Sequence, residues 1–277
     1  MNNKKIDPIL LEIAWNGLKS IADECFITLM RCAFSTNIKE RHDHSTAIID
    51  KNGNLIAQAE HALPIHLASM SGLIEHLLKS YKKDINQGDI FISNDPHVAG
   101  GTHLPDINMA MPIFIEGKLV AFIANIVHHA DVGGAAAGSM SGGLDEIYKE
   151  GIRIPITRLY KNNILNKDIL NILLLNMRLR NERQGDLNAQ IAACKLGVTR
   201  IKDMIKIYGI KTIEQIFNEI LNLTKERMIK AIAKLPNGIF KFEDFMDDDG
   251  LGNKDIKINL IIKKFIKKIE FDFSKSS

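Results

Sequence analysis

An α+β fold is predicted for this 277-residue chain, a mixture of helices and β-hairpins rather than a regular strand–helix alternation. Three observations predict it. Apolar residues hold helical spacing from Leu11 to Ala33, two pairs of apolar runs flank short polar turns between residues 45 and 128, and helical spacing returns from Asp168 to Pro236. With 45% hydrophobic residues, the chain can bury one large core or two modest ones. The simplest division places an α+β domain over residues 1–165, a helical segment over 166–236 and closing β-strands over 237–277.

Asp7 before Pro8 starts the first helix, because aspartate accepts free backbone N–H groups and proline is preset for the first helical position. Leu11, Trp15, Leu18, Ala22, Cys25, Phe26, Leu29 and Ala33 then share one helical period. Residues 47–49 and 55–57 flank Asp50-Lys51-Asn52-Gly53-Asn54, whose Asn-Gly tolerates positive φ, so a β-hairpin follows. Leu67, Met70, Ile74, Leu77, Leu78 and Tyr81 restore helical spacing, and residues 89–92 make a short buried strand leading into a loop over 93–106. A second hairpin, residues 111–114 and 119–127 about the turn Glu116-Gly117-Lys118, ends on His128-His129. Residues 130–143 hold five glycines and four alanines, a composition suited to a mobile loop over a ligand. Asp186 is expected to cap a helix reaching Gly209, and Thr212 with Gln215 forms a capping box for the next. Alternation of the β type reappears at residues 256–258 and at Ile269, Phe271 and Phe273.

A formal net charge of +3 demands neither a nucleic-acid nor a membrane partner, and neither is expected. Cys25, Cys32 and Cys194 form no CxxC pair, which argues against a disulfide framework and for a reducing compartment. The polar stretch from Met1 to Asp7 carries no signal pattern and no apolar run approaches about eighteen residues, so a soluble, cytoplasmic protein is expected.

Candidate ligands concentrate in Asn94-Asp95-Pro96-His97-Val98-Ala99-Gly100-Gly101-Thr102-His103-Leu104-Pro105-Asp106 and, after the hairpin, in His128-His129-Ala130-Asp131. Imidazole and carboxylate without cysteine suit Mn²⁺, Fe²⁺ or Zn²⁺ with open positions, not a thiolate-rich structural zinc. His103 and Asp106 are separated by two residues and can face one ion from a turn, while the hairpin returns His128 to the same end. Three protein ligands would leave room for water. A single loop histidine usually does no more than bond backbone; several histidines and carboxylates converging with glycines between strands make a built site.

Arg41-x-Asp43-x-Ser45, Pro64-Ile65-His66-Leu67-x-Ser69-Met70, Gly88-Asp89, Asn94-Asp95-Pro96 through Gly100-Gly101-x-His103-x-x-Asp106, and Glu150-Gly151-x-Arg153-Ile154-Pro155 resemble the hydantoinase B / 5-oxoprolinase family, as do Asn176-x-Arg178 and Gly185-Asp186-Leu187-x-Ala189-Gln190. The blocks keep order and spacing from about residue 7 to the end, although Arg180 stands where the family usually has proline. The resemblance implies one subunit of an ATP-dependent cyclic amidohydrolase that opens a lactam, hydantoin or other cyclic imide ring at one divalent metal. It places the metal on His103, Asp106 and His128, with His129 and Asp131 as alternates, and makes Asp43 and His66 candidates for positioning or general-base work. A hydantoinase A-type subunit would bind and use the ATP. Family members are about twice as long, so the chain resembles an N-terminal half, with a separately encoded C-terminal half as a second expected partner. The metal-bearing subunit of an acetone carboxylase-type ligase and an inactive truncated fragment are the competing readings.

Overall fold

The computed structural model describes residues 6–277; Met1 to Lys5 of the polar N-terminal stretch lie outside the described residues. Asp7 caps α1 (Pro8–Cys32) by accepting the Ile9 and Leu10 N–H groups. After α2 (Thr36–Lys39), β1 (His44–Asp50) and β2 (Leu55–Gln58) form the first hairpin. Its turn is held by Asp50, which accepts the N–H groups of Asn52 and Asn54 at 2.8 Å each, while Gly53 takes φ +92°. Then come α3 (Pro64–Tyr81), β3 (Ile90–Ser93), α4 (Pro96–Ala99) and the second hairpin of β4 (Asp106–Ile115) and β5 (Lys118–His128). The chain continues through β6 (Thr157–Lys161), β7 (Ile164–Leu165), α5 (Lys167–Asn176), α6 (Arg180–Tyr208) and α7 (Ile210–Lys234). It finishes with β8 (Gly238–Asp248), β9 (Lys254–Phe265) and β10 (Lys268–Asp272). Among the described residues, no helix is long and apolar enough to cross a membrane.

Packing separates two units. The first comprises residues up to Met140 together with Glu146–Phe217, and so takes in α5 and α6; the second comprises Ser141–Asp145 and Asn218–Ser277. The first unit is a seven-stranded antiparallel sheet in the order β2-β1-β5-β4-β3-β6-β7. On one face Ala47, Ile49, Ala110, Phe122, Ala124 and Ile126 pack against Met70, Leu73, Ile74 and Leu77 of α3. On the other lie α1 and α6: Thr46 donates to the Ala22 carbonyl of α1, Asn125 donates to the Gln190 carbonyl of α6, and Gly197 of α6 touches Cys25 and Ile123. The central strands are therefore covered on both faces, which is why β5 reads as an almost unbroken apolar run. Each fully buried Ile, Leu or Phe there contributes about 1.5–3 kcal/mol.

The second unit is built differently. β8, β9 and β10 form an antiparallel sheet in the order β10-β9-β8. Register places Phe240, Ile262 and Phe271 side by side on one face, with Phe242 beside Leu260 and Met246 beside Ile256. This face is apolar and open: Phe242 is 62% exposed and Phe271 58%.

Candidate metal centre

Three strands end side by side at one edge of the first sheet's α3 face. Asp106 opens β4 directly opposite His128, the last residue of β5, and the His128 N–H donates to the Asp43 carbonyl just before β1. Ala124 and Ile126 of β5 face α3, as do Ala110 of β4 and Asn108, which bonds Ser69 of α3. Side chains alternate along a strand, so His128 and Asp106 emerge on that same face. The start of α3 adds His66, and the loop after α4 adds His103.

That loop is firmly tied. Asp95 caps α4 through the His97 N–H and pairs with Arg153 at 2.6 Å. Asn94 donates to the carbonyls of Leu104 and Ile152 and accepts the Ile154 N–H, so one amide joins three segments. Gly100, at φ +71°, crosses Gly72 of α3 so closely that a Cβ on either would stand 2.8–2.9 Å from the other's Cα.

Asp106 is the hub. Its Oδ1 lies 3.1 Å from His103 Nε2 and 3.3 Å from His128 Nδ1, and its Oδ2 accepts the Thr102 hydroxyl and lies 3.6 Å from His66 Nε2. Asp43 faces the group from the side, 3.7 Å from both His66 Nε2 and His128 Nδ1. Asp43 and His103 are about one-third exposed, so the group opens to solvent between them, while His66 and Asp106 are enclosed. Burial pushes the Asp106 carboxyl up, but the imidazoles of His103, His128 and His66 outweigh it and hold the group well below the usual carboxylate range. The same carboxylate raises His103.

One ligand atom from each of His103, Asp106 and His128 falls within 4.8 Å of the others. Asp106 Oδ1 is buried and accepts no well-formed hydrogen bond among the described residues, although two imidazole nitrogens crowd it. An ionised oxygen donor and two imidazoles converging without satisfying one another fit a divalent cation.

A model of the hydantoinase B/oxoprolinase family matches residues 7–277. The chain belongs to this family. It is 40% identical over 274 residues to an uncharacterized protein of Methanocaldococcus jannaschii, covering 97% of this chain and 47% of that one. It is 34% identical over 298 residues to 5-oxoprolinase 1 of Arabidopsis thaliana, covering 98% of this chain and 23% of that one. The crystal structure of an ATP-dependent caprolactamase from Pseudomonas jessenii superposes with a TM-score of 0.90 at 28% identity, over 96% of this chain and 46% of the other. An acetone carboxylase shares the fold, with a TM-score of 0.88 at 21% identity over 98% of this chain and 38% of the other. The chain spans less than half the length of these relatives.

Other family-motif residues do different work. His129, one position beyond His128, emerges on the opposite face of the sheet, where its Nε2 meets Gln190 Oε1 at 2.9 Å; burial pushes its pKa down. Asp131 lies outside the ligand group and organises the glycine-rich segment, accepting the N–H groups of Gly133, Gly138 and Arg178 and pairing with the Arg178 guanidinium. Arg178 in turn donates to the carbonyls of Gly133, Gly134 and Ala136, so the expected loose loop is hydrogen-bonded at its start. Asp186, expected as a helix cap, lies inside α6 instead. It pairs with fully buried Arg183 at 3.1 Å and accepts the N–H groups of Phe34 and Ser35, which makes it a tertiary cap for the chain leaving α1. Asn94 and Thr102 lie in the run where candidate ligands concentrate and Ser45 in a motif block, but the sequence alone gives none of the three a particular role at the site.

Proposed function

We propose that this chain is the metal-bearing part of an ATP-dependent cyclic amidohydrolase, opening a lactam or cyclic imide ring of the 5-oxoproline or hydantoin kind. The observation that carries the reading is the convergence of His103, Asp106 and His128 at an opening in a hydantoinase B-type fold. An ordinary lactam is a poor electrophile with a poor leaving group, and the similar caprolactamase is ATP-dependent. A hydantoinase A-type partner would bind the ATP and phosphorylate the ring oxygen.

His103, Asp106 and His128 would hold one Mn²⁺, Zn²⁺ or Fe²⁺, with Asp43 beside them as a further ligand or as acceptor for a bound water. Such an ion makes water more acidic at neutral pH and polarises a carbonyl oxygen. Asp43, the more open carboxylate, accepts the proton of the attacking water, and His103 borders the entrance through which the activated ring arrives. The open apolar face of the second unit gives a partner chain somewhere to pack, and a separately encoded C-terminal half of a hydantoinase B-type subunit fits it.

The test is to purify the chain with its hydantoinase A-type partner, measure bound metal, and follow ATP-dependent cleavage of 5-oxoproline, hydantoin and caprolactam. Metal near one equivalent, lost with activity in His103→Ala, is the expected result. No transition metal after reconstitution overturns the reading, and ATP-dependent fixation of bicarbonate onto a ketone would move the chain to the carboxylase class.

A further inference from the structure

We infer that Ser45 is a positioning residue, which fixes the tautomer of His66 so that its Nε2–H is presented to the carboxylates Asp106 and Asp43. The inference deepens the proposed metal site, but its first step stands on hydrogen-bond bookkeeping alone.

Ser45 Oγ is fully buried at the start of β1 and accepts the Leu63 N–H at 2.8 Å. It lies 3.0 Å from His66 Nδ1. A hydroxyl has a single hydrogen to donate, and among the described residues Nδ1 is the acceptor within its reach. The Ser45 hydroxyl therefore donates to Nδ1. A neutral imidazole with Nδ1 accepting carries its proton on Nε2.

That proton points at the acidic side of the site. His66 Nε2 stands 3.6 Å from Asp106 Oδ2 and 3.7 Å from Asp43 Oδ1, nearly equidistant from the two carboxylates. With its hydrogen there, Nε2 has no lone pair for a metal, so His66 supports the ligand set without joining it. The two oxygens of Asp106 are thereby differentiated. Oδ2 is held from behind by the Thr102 hydroxyl and faces the His66 N–H, which leaves Oδ1 turned toward His103 and His128. Outer partners of this type orient ligating groups, and their removal typically lowers metal affinity about 10- to 100-fold.

The experiment combines long-range ¹H–¹⁵N correlation of the histidine rings, which distinguishes Nδ1 from Nε2 protonation, with metal affinity from competition against a chelator. Both are run on the intact chain as wild type, Ser45→Ala, His66→Leu and the double variant. The expected results are an Nε2–H tautomer for His66 in the metal-free wild type, loss of that tautomer preference in Ser45→Ala, and a loss of affinity of about tenfold in each single variant. Because Ser45→Ala also strands the Leu63 N–H, the double variant decides: action through His66 requires it to be no worse than His66→Leu, whereas independent effects would add. An Nδ1–H tautomer in the wild type, additive losses, or unchanged affinity in Ser45→Ala overturns the inference. Should the wild type take up no metal at all, the metal-site reading fails by itself, and the tautomer measurement still decides the role of Ser45.

Discussion

β5 in the first unit and β9 in the second are eleven and twelve residues long, and each is hydrogen-bonded along both edges. Their surroundings differ. β5 is covered by α3 on one face and by α1 and α6 on the other, and from Val120 to His128 every residue is buried. β9 is half-open along its length, and its neighbours Phe240, Phe242 and Phe271 are exposed. Both strands have a ladder partner on each edge, so pairing does not create an interior; the helices do. Only the covered sheet provides the low dielectric in which one carboxylate can be gripped by three imidazoles.

The comparison can be broken first where the covering helix is pinned. Asp186→Ala removes the buried partner of Arg183, leaving its fully buried guanidinium only the half-exposed Glu182, and strands the Phe34 and Ser35 N–H groups. A loss of about 3–5 kcal/mol is expected in urea unfolding.

Acid probes the same interior. His44 is fully buried against Phe26, neither ring nitrogen has a hydrogen-bond partner among the described residues, and burial pushes its pKa down to about 3. The folded chain thus refuses a proton that the unfolded chain takes up below about pH 6.5. Stability is complete above that pH and falls as the pH drops toward 3, where the loss levels off. By pH 4 the loss from this residue is about 3 kcal/mol, at about 1.4 kcal/mol per pH unit. Comparing unfolding at pH 7 and pH 4 in wild type and His44→Leu isolates it; equal pH slopes would refute it.

Gly72→Ala sharpens the comparison locally. The new Cβ would stand 2.9 Å from Gly100 Cα, backbone against backbone, and the strand of loop that carries His103 must yield. About 1–3 kcal/mol of stability should be lost, with weaker metal binding. Unchanged affinity would show that the crossing does not position His103. At the small end, Phe242→Ser with Phe271→Ser should leave stability within about 0.5 kcal/mol per site, because those rings already face solvent. Light scattering should show less self-association, and a partner chain should bind less well; a large drop in melting temperature would mean that the face is covered after all.

Much of this was legible in the sequence, for reasons that differ by region. The helix from Pro8 and both hairpins of the first unit announce themselves through an aspartate-proline start and turn residues between apolar runs. The ligand candidates were legible because metal-type side chains crowd a segment with glycines. What sequence spacing could not decide was which of two adjacent histidines faces Asp106, since that depends on the pairing of β4 with β5. Asp186 was misread because a capping aspartate and a buried, paired one are identical in sequence; the difference lies in Arg183 and the end of α1. β8 lies within the stretch 237–277 expected to form strands, but its bounds are not legible, because its apolar residues, Ile239, Phe240, Phe242, Phe245 and Met246, fall on both faces and blur the alternation.

The adjacency of His128 and His129 has a consequence for the fidelity of folding. A strand displaced by one residue against β4 would exchange the two rings, sending one imidazole into the core and bringing its neighbour to Asp106. Such a molecule would keep nearly all its backbone pairing and still be chemically wrong. The bond from the His129 ring to Gln190, which also grips the Ile107 carbonyl of β4, gives the misplaced arrangement something definite to lose. The residue excluded from the pocket thus acts as a proofreader for the one inside it.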